Sequence, residues 1–168
     1  LSQKENLSSE LTRSFKENEP IVKFINASIS GNTSKNGLSR VEWSLGDNPS
    51  IVILCLGAND MLRGLDPSLT RNNLDLIINK FTNNNSVVVL AGMKSPESMG
   101  EKYQLEFDSI YPELANKYDL ILMPFLLEGI ALNKEMLLAD YKHPNANGIK
   151  VMARNLRPYI LGAIEELK

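Results

Sequence analysis

Cysteine and histidine are almost absent from this sequence, and so are basic excess and long apolar runs. The one cysteine, Cys55, cannot form an internal disulfide, so oxidative stapling is not how the chain is stabilised. That leaves the compartment open, because a periplasmic protein need not carry disulfides. The one histidine, His143, leaves no His/Cys cluster that would suggest a metal. No glycine-rich loop has the spacing of a phosphate cradle. Lysine and arginine total 18 against 20 aspartates and glutamates, a formal charge of −2. With a pI near 5.5, the chain has no electrostatic footprint for nucleic acid and no polybasic patch for a membrane. The longest apolar stretches, Ile51 to Leu56 and Val87 to Ala91, fall far short of the roughly 20 residues that a bilayer requires. No signal peptide is visible. Residue 1 is Leu rather than Met, so an N-terminal segment is expected to be missing, and the lack of a targeting sequence carries no weight.

What remains is the composition of a soluble globular domain: 168 residues, 43% hydrophobic and 23% charged. That length buries a proper core and argues against a disordered, collagen-like or coiled-coil chain. No repeat, low-complexity tract or Pro/Gly/Ser linker divides it. The most biased spot, Asn83 to Asn85, is only a loop.

Apolar strand-like runs alternate with amphipathic helical patterns. Leu7, Leu11 and Phe15 predict a helix ending near Asn18 and Pro20. Ile21 to Ile25 reads as a strand, and residues 35–45 are helix-compatible. Ile51 to Leu56 is apolar on both faces and bounded by Pro49 and Gly57, as a central parallel strand would be, and this makes Cys55 an inert packing residue. Asp66-Pro67 looks like a cap followed by proline at the first helical position, opening a helix carried by Leu69, Leu74, Ile77, Ile78 and Phe81. Val87 to Leu90 is a buried strand stopped by Gly92. Tyr103, Phe107, Ile110, Tyr111 and Leu114 step as one long helix. Leu120 to Met123 is a short strand halted by Pro124, and residues 145–168 are helical with a kink or restart expected at Pro158. Such alternation implies a parallel sheet with helices on both faces, whose ligands bind beyond the carboxyl ends of the strands.

The loops at those ends are small, polar and, in three of the four, glycine-bearing. They are Asn26 to Ser34, Gly57 to Asp60, Gly92 to Pro96 and, further on, Asp140 to Asn145. Taken singly, each has an ordinary reading. Asp140-x-x-His143 fits a surface turn before a helix as well as a general base with its orienting carboxylate. Gly57-Ala58-Asn59-Asp60 fits a plain turn as well as a side-chain amide aimed at a developing oxyanion. Ser30-Gly31-Asn32 fits a plain loop as well as a backbone donor to the same charge. Met61, Met93 and Met123 near strand ends read as core or pocket wall.

Taken in order, these segments resemble the later blocks of the SGNH hydrolases, also called the GDSL family, and most closely the bacterial branch of multifunctional esterases, thioesterases, lysophospholipases and arylesterases. Asn26-Ala-Ser-Ile-Ser-Gly-Asn-Thr-Ser34 resembles the second block. Gly57-Ala-Asn-Asp60 with Leu62-Arg63-Gly64 resembles the third, and Asp140-x-x-His143-Pro144-Asn145 the fifth. Ile110-Tyr-Pro-Glu-Leu-Ala115 and Met123-Pro-Phe125 are similar in kind, so the resemblance covers nearly the whole chain. It implies a three-layer α/β/α, flavodoxin-like fold and a single domain over residues 1–168. By the same resemblance Gly31 would donate its N–H and Asn59 its amide to an oxyanion hole, His143 would be the general base, and Asp140 would orient it. Asp60 would hold its turn. The substrate would be a small acyl ester or thioester, with no cofactor and no nucleic-acid partner. A periplasmic or secreted location follows from the same resemblance and leaves the cytoplasm open.

One departure matters as much. The family's first block, Gly-Asp-Ser after the first strand, supplies the nucleophile, and it is absent here, as is any Gly-x-Ser-x-Gly elbow. The chain therefore reads as N-terminally truncated, lacking the first strand. In the 2-1-3-4-5 order, Ile21 to Ile25 would then be strand two and Ile51 to Leu56 strand three. Ser28, Ser30 and Ser34 have the ordinary reading of loop hydrogen bonding. Two rivals stand beside the hydrolase reading. One is a pseudoenzyme or binding module that keeps the pocket without the nucleophile. The other is a flavodoxin-like or nucleotide-binding domain, which would have no use for His143. An in-frame Gly-Asp-Ser upstream of Leu1 decides for the enzyme.

Overall fold

The computed structural model describes residues 6–16 and 22–168. They form two compact units of interleaved sequence. One takes the described residues up to 28 together with 126–158, the other residues 29–125 and 159–168.

The second unit holds the sheet. Strands β1 (Ile51–Leu54), β2 (Val87–Ala91) and β3 (Ile121–Met123) lie side by side in that order, all parallel. Ile51 stands opposite Val87, and Val89 opposite Ile121. Parallel neighbours need crossover connections, and the helical patterns between the strands supply them. From β1 the chain runs through α4 (Ala58–Leu62) and α5 (Pro67–Asn83) to β2, and then through α6 (Glu101–Asp108) and α7 (Ile110–Tyr118) to β3. The Asp66 carboxylate accepts a hydrogen bond from the Ser68 N–H at 2.8 Å and starts α5, with Pro67 at the first helical position. Leu74, Ile77, Ile78 and Phe81 bury one face of α5, whereas Leu69, expected on that face, is exposed. Helices α5 and α7 pack against β2, whose Val88 to Ala91 are fully buried. Met61, Met93 and Met123 are all core residues.

Several expectations change. The helix expected across residues 103–114 is two helices, broken at Ser109. Pro112 has no N–H to give the carbonyl of Asp108, so the ladder cannot run through. Residues 34–45 likewise fold as α2 (Ser34–Ser39) and α3 (Val41–Leu45). Of the strand expected at Ile21 to Ile25, Ile21 lies outside the described residues, and Val22 to Ile25 is not a strand. A strand exists only through its ladder, and among the described residues this segment has no ladder partner. Among the described residues strand β1 is therefore paired on one side only, Ile51 to Ile53 are only partly buried, and Cys55, just past its end, is exposed rather than packed.

The first unit contains α1 (Leu7–Lys16), where the helical pattern places it, and most of α8 (Ala146–Glu166). Phe15 is buried edge-on to Phe24 at 5.4 Å between ring centroids. The Arg157 guanidinium lies 4.5 Å from the Phe15 ring centroid and donates to the Ser14 carbonyl. The expected helix end near Asn18 and Pro20 lies outside the described residues. Helix α8 continues through Pro158 instead of restarting there.

Candidate active site

In the first unit, Asp140 and His143 sit in a tight turn between Leu137 and α8. Leu137 and Pro144 form an isolated antiparallel bridge, the Leu138 N–H donates to the His143 carbonyl at 2.8 Å, and Tyr141 takes a left-handed φ of +55°. Within that turn one carboxylate oxygen of Asp140 accepts the backbone N–H groups of Lys142 (3.0 Å) and His143 (3.1 Å). The other lies 2.6 Å from His143 Nδ1. The hydrogen bond to the imidazole, reinforced by the two backbone donors, holds the Asp140 carboxyl well below the usual carboxylate range. His143 Nδ1 thus faces an ionised carboxylate, and the ring belongs to a side chain that is half exposed.

Asn145 anchors this turn. Its side-chain amide donates to the carbonyls of Glu135 (2.8 Å) and Leu137 (3.1 Å), and its side-chain oxygen accepts from the N–H groups of Asn147 and Gly148 at the start of α8. The sequence marks Asn145 as a helix start, but not the two carbonyls that it reaches back to.

In the second unit, the structure brings Gly31, Asn59 and Asp60 together. Gly57 enters α4 with φ +107°, a conformation open to glycine, and a Cβ there would lie 2.2 Å from the Tyr111 hydroxyl. That hydroxyl donates to the Leu56 carbonyl at 2.9 Å, and burial pushes its pKa up. Asn59, on α4, gives one amide hydrogen to the Asn32 carbonyl at 3.0 Å. An amide has two donors, and the bond to Asn32 fixes the direction of the second.

Asp60 is fully buried, which is costly for a carboxylate unless it is hydrogen-bonded. It accepts the Ser34 N–H at 2.7 Å and the Ser34 hydroxyl at 2.5 Å, and lies 3.3 Å from the Thr70 hydroxyl. Asn73 on α5 donates to the Ser34 hydroxyl oxygen at 2.9 Å. This set stitches the segment after Gly31 to the segment after Gly57. Ser34, engaged on both sides and buried, is a structural hydroxyl and not a free nucleophile. Thr70 and Asn73 were not legible as partners, because nothing in a helical pattern reveals which polar side chain faces a buried carboxylate. Among the described residues no group of three or more His, Cys, Asp or Glu is placed to hold a metal ion.

Residues 3–151 match the GDSL-like lipase/acylhydrolase family, and the chain belongs to that family. It is 39% identical over 124 residues to an arylesterase of Vibrio mimicus, covering 73% of this chain and 62% of that protein. It is 36% identical over 141 residues to thioesterase 1/protease 1/lysophospholipase L1 of Escherichia coli strain K12, covering 81% of this chain and 68% of the enzyme. The chain thus spans roughly two thirds of the length of these relatives. The crystal structure of TesA superimposes with a TM-score of 0.91 at 30% identity, covering 97% of this chain and 91% of that one. The fold is accordingly the α/β fold of these hydrolases.

Proposed function

We propose that this chain carries most of a serine hydrolase of acyl esters and thioesters, forming one catalytic domain with residues that precede Leu1. The observation that carries the reading is the 2.6 Å contact between His143 Nδ1 and an Asp140 carboxylate that is itself locked by two backbone donors. A carboxylate there holds the imidazole in the tautomer whose Nε2 accepts a proton. The family match and its esterase and thioesterase relatives support the same reaction.

In this reading the nucleophilic serine comes from the preceding segment. Its Oγ attacks the substrate carbonyl carbon while its proton passes to His143 Nε2. The carbonyl π pair moves onto oxygen, where the Gly31 N–H and the second amide hydrogen of Asn59 receive it. When the intermediate collapses, the alcohol or thiol leaves with the proton from His143. Water then cleaves the acyl-serine by the same sequence, releasing the acid and restoring the serine. Asp60 holds the Asn59 turn. No step calls for a cofactor. Among the described residues no helix is long and apolar enough to cross a membrane. The resemblance implies a periplasmic or secreted enzyme and leaves the cytoplasm open.

The test is turnover of p-nitrophenyl esters and acyl thioesters by the 168-residue chain and by the same chain extended through its upstream coding sequence. The extended protein should turn over in the presence of EDTA and lose nearly all kcat on His143→Ala. The 168-residue chain should retain only the residual catalysis of an oxyanion hole, roughly 10³–10⁴ over water. Unchanged activity in His143→Ala, or complete loss in EDTA, overturns the assignment. Tight acyl-ester binding without turnover by the extended chain would make the protein a binding module.

A further inference from the structure

The peptide that follows Gly31 is held by hydrogen bonds rather than by packing. Gly31 has φ +79°, and no atom lies within 4 Å of where its Cβ would be. The Asn32 N–H donates to the Ile29 carbonyl at 3.3 Å, and two side-chain donors, one on α4 and one at its C-terminal cap, hold the carbonyls of this stretch. Asn59 donates to the Asn32 carbonyl, and Arg63 Nη2 donates to the Gly31 carbonyl at 2.9 Å. Asn59 in α4 and the cap residue Arg63 are four positions apart, and between them they hold two consecutive carbonyls of the loop. Arg63 is itself fixed at its backbone, where its N–H donates to the carbonyls of Asn59 and Asp60 and closes the helix. Its side chain is exposed, and among the described residues no carboxylate pairs with it.

We propose that Arg63 is a positioning residue that, by holding the Gly31 carbonyl, fixes where Gly31 sits relative to Asn59. This rests on the reading that Gly31 and Asn59 donate to the oxyanion. Glycine turns easily about its backbone bonds, and a displacement of about 1 Å takes a donor off an oxyanion contact. The Gly31 N–H lies in the peptide before Gly31, so the Arg63 bond acts on it by anchoring the glycine and the Gly31–Asn32 peptide in place. Because Asn59 on α4 and Arg63 at its C-terminal cap hold consecutive carbonyls of this loop, the Gly31 segment is tied to the helix that carries the Asn59 amide.

The experiment uses the upstream-extended protein with Arg63→Met, which keeps length but has no donor, and Arg63→Lys, which restores one. Substrates are neutral p-nitrophenyl butyrate and an anionic acyl-CoA thioester. Arg63→Met is expected to lower kcat on the order of 10- to 100-fold on both substrates, as misplacement of a reacting geometry does. KM should stay within about twofold, the pattern of an interaction made in the transition state. Arg63→Lys should recover part of the loss, Tm should not move, and amide hydrogen exchange at Gly31 and Asn32 should quicken in Arg63→Met. A rise in KM confined to the anionic substrate would make Arg63 a substrate-charge contact and overturn the proposal. So would unchanged kcat, unchanged exchange, or a kcat loss that tracks a fall in Tm. His143→Ala in the same assay separates the two readings. If it abolishes turnover while Arg63→Met does not slow it, only the positioning role fails. If it leaves turnover intact, the hydrolase reading fails, and the exchange measurement still decides whether Arg63 holds the peptide.

Discussion

Asp60 and Asp140 are both carboxylates that accept backbone N–H groups, yet they sit at opposite ends of the solvent scale, and this separates what each does. Asp60 is buried with Ser34 bonded to it through both its N–H and its hydroxyl. Asp60→Ala strands those donors without water, at about 1–3 kcal/mol for each group left unpaired. The expected outcome is a clear drop in the urea midpoint, with Ser34→Ala costing less because the Ser34 N–H keeps its partner. Asp140 is exposed, and its ionised form is favoured by the imidazole and two backbone donors. A depressed carboxyl stabilises the fold above its ordinary range and loses that contribution as pH falls through the lower folded value. The carboxylate is therefore ionised at every pH above about 4, the range in which a free aspartate has already titrated. The acid limb of kcat/KM above that pH should not belong to Asp140. Asp140→Asn should lower kcat by up to about 10⁴-fold through the wrong imidazole tautomer. A pH–rate profile of both proteins checks this, and an inflection above that pH that Asp140→Asn removes would contradict it.

At the scale of elements, the turn into α4 shows how a helix elsewhere in the sequence dictates a local backbone. Tyr111 on α7 fills the space that any side chain at position 57 would need. Gly57→Ala should cost more than the roughly 1–3 kcal/mol of strained backbone alone, because the Tyr111 hydroxyl must also shift. Tyr111→Phe frees that space but leaves the Leu56 carbonyl without its donor, about 0.5–1.5 kcal/mol. The double variant should therefore be less destabilised than the sum of the two, by a coupling that denaturant melts resolve. Simple addition would mean that the hydroxyl is not what excludes a side chain there.

Position 57 also shows what a sequence conveys and what it withholds. Gly57-Ala-Asn-Asp60 is legible as a turn at a strand end, and Asp66-Pro67 as a helix start, because both depend on a few neighbouring residues. The clash with Tyr111 depends on contact across 54 positions and leaves no local trace. The same holds for the candidate site. The Asp140–His143 pair lies within one turn, where its spacing fits a plain turn as well and the family resemblance singles it out, whereas Thr70 and Asn73 reach Asp60 and Ser34 from α5 with no local signal. Helix breaks failed for a milder reason: the apolar steps from Tyr103 to Leu114 continue in register across Ser109, and only the N–H missing at Pro112 interrupts them.

At the scale of the molecule, the sheet is the feature whose behaviour is least ordinary. Among the described residues strand β1 pairs with β2 alone, and no strand is laddered to its other edge, beside partly exposed Ile51, Val52 and Ile53. The sequence reads this run as a central strand because it is apolar on both faces, and a central strand held on one side alone is an aggregation template. Each backbone group that an open edge leaves without a partner away from water costs about 1–3 kcal/mol, against a total stability of about 5–15 kcal/mol. The 168-residue chain prepared alone should therefore self-associate in sedimentation velocity and bind thioflavin on standing. It should melt broadly. Ile51→Lys, a charge at the start of the open strand, should reduce the association without restoring a sharp melt. Extension through the upstream coding sequence should do both, because a strand laid on that edge pairs the backbone and covers the isoleucines together. A monomeric 168-residue chain with a cooperative transition above about 50 °C, inside the ordinary mesophilic range, would show that the edge is already satisfied and that no further strand is needed there.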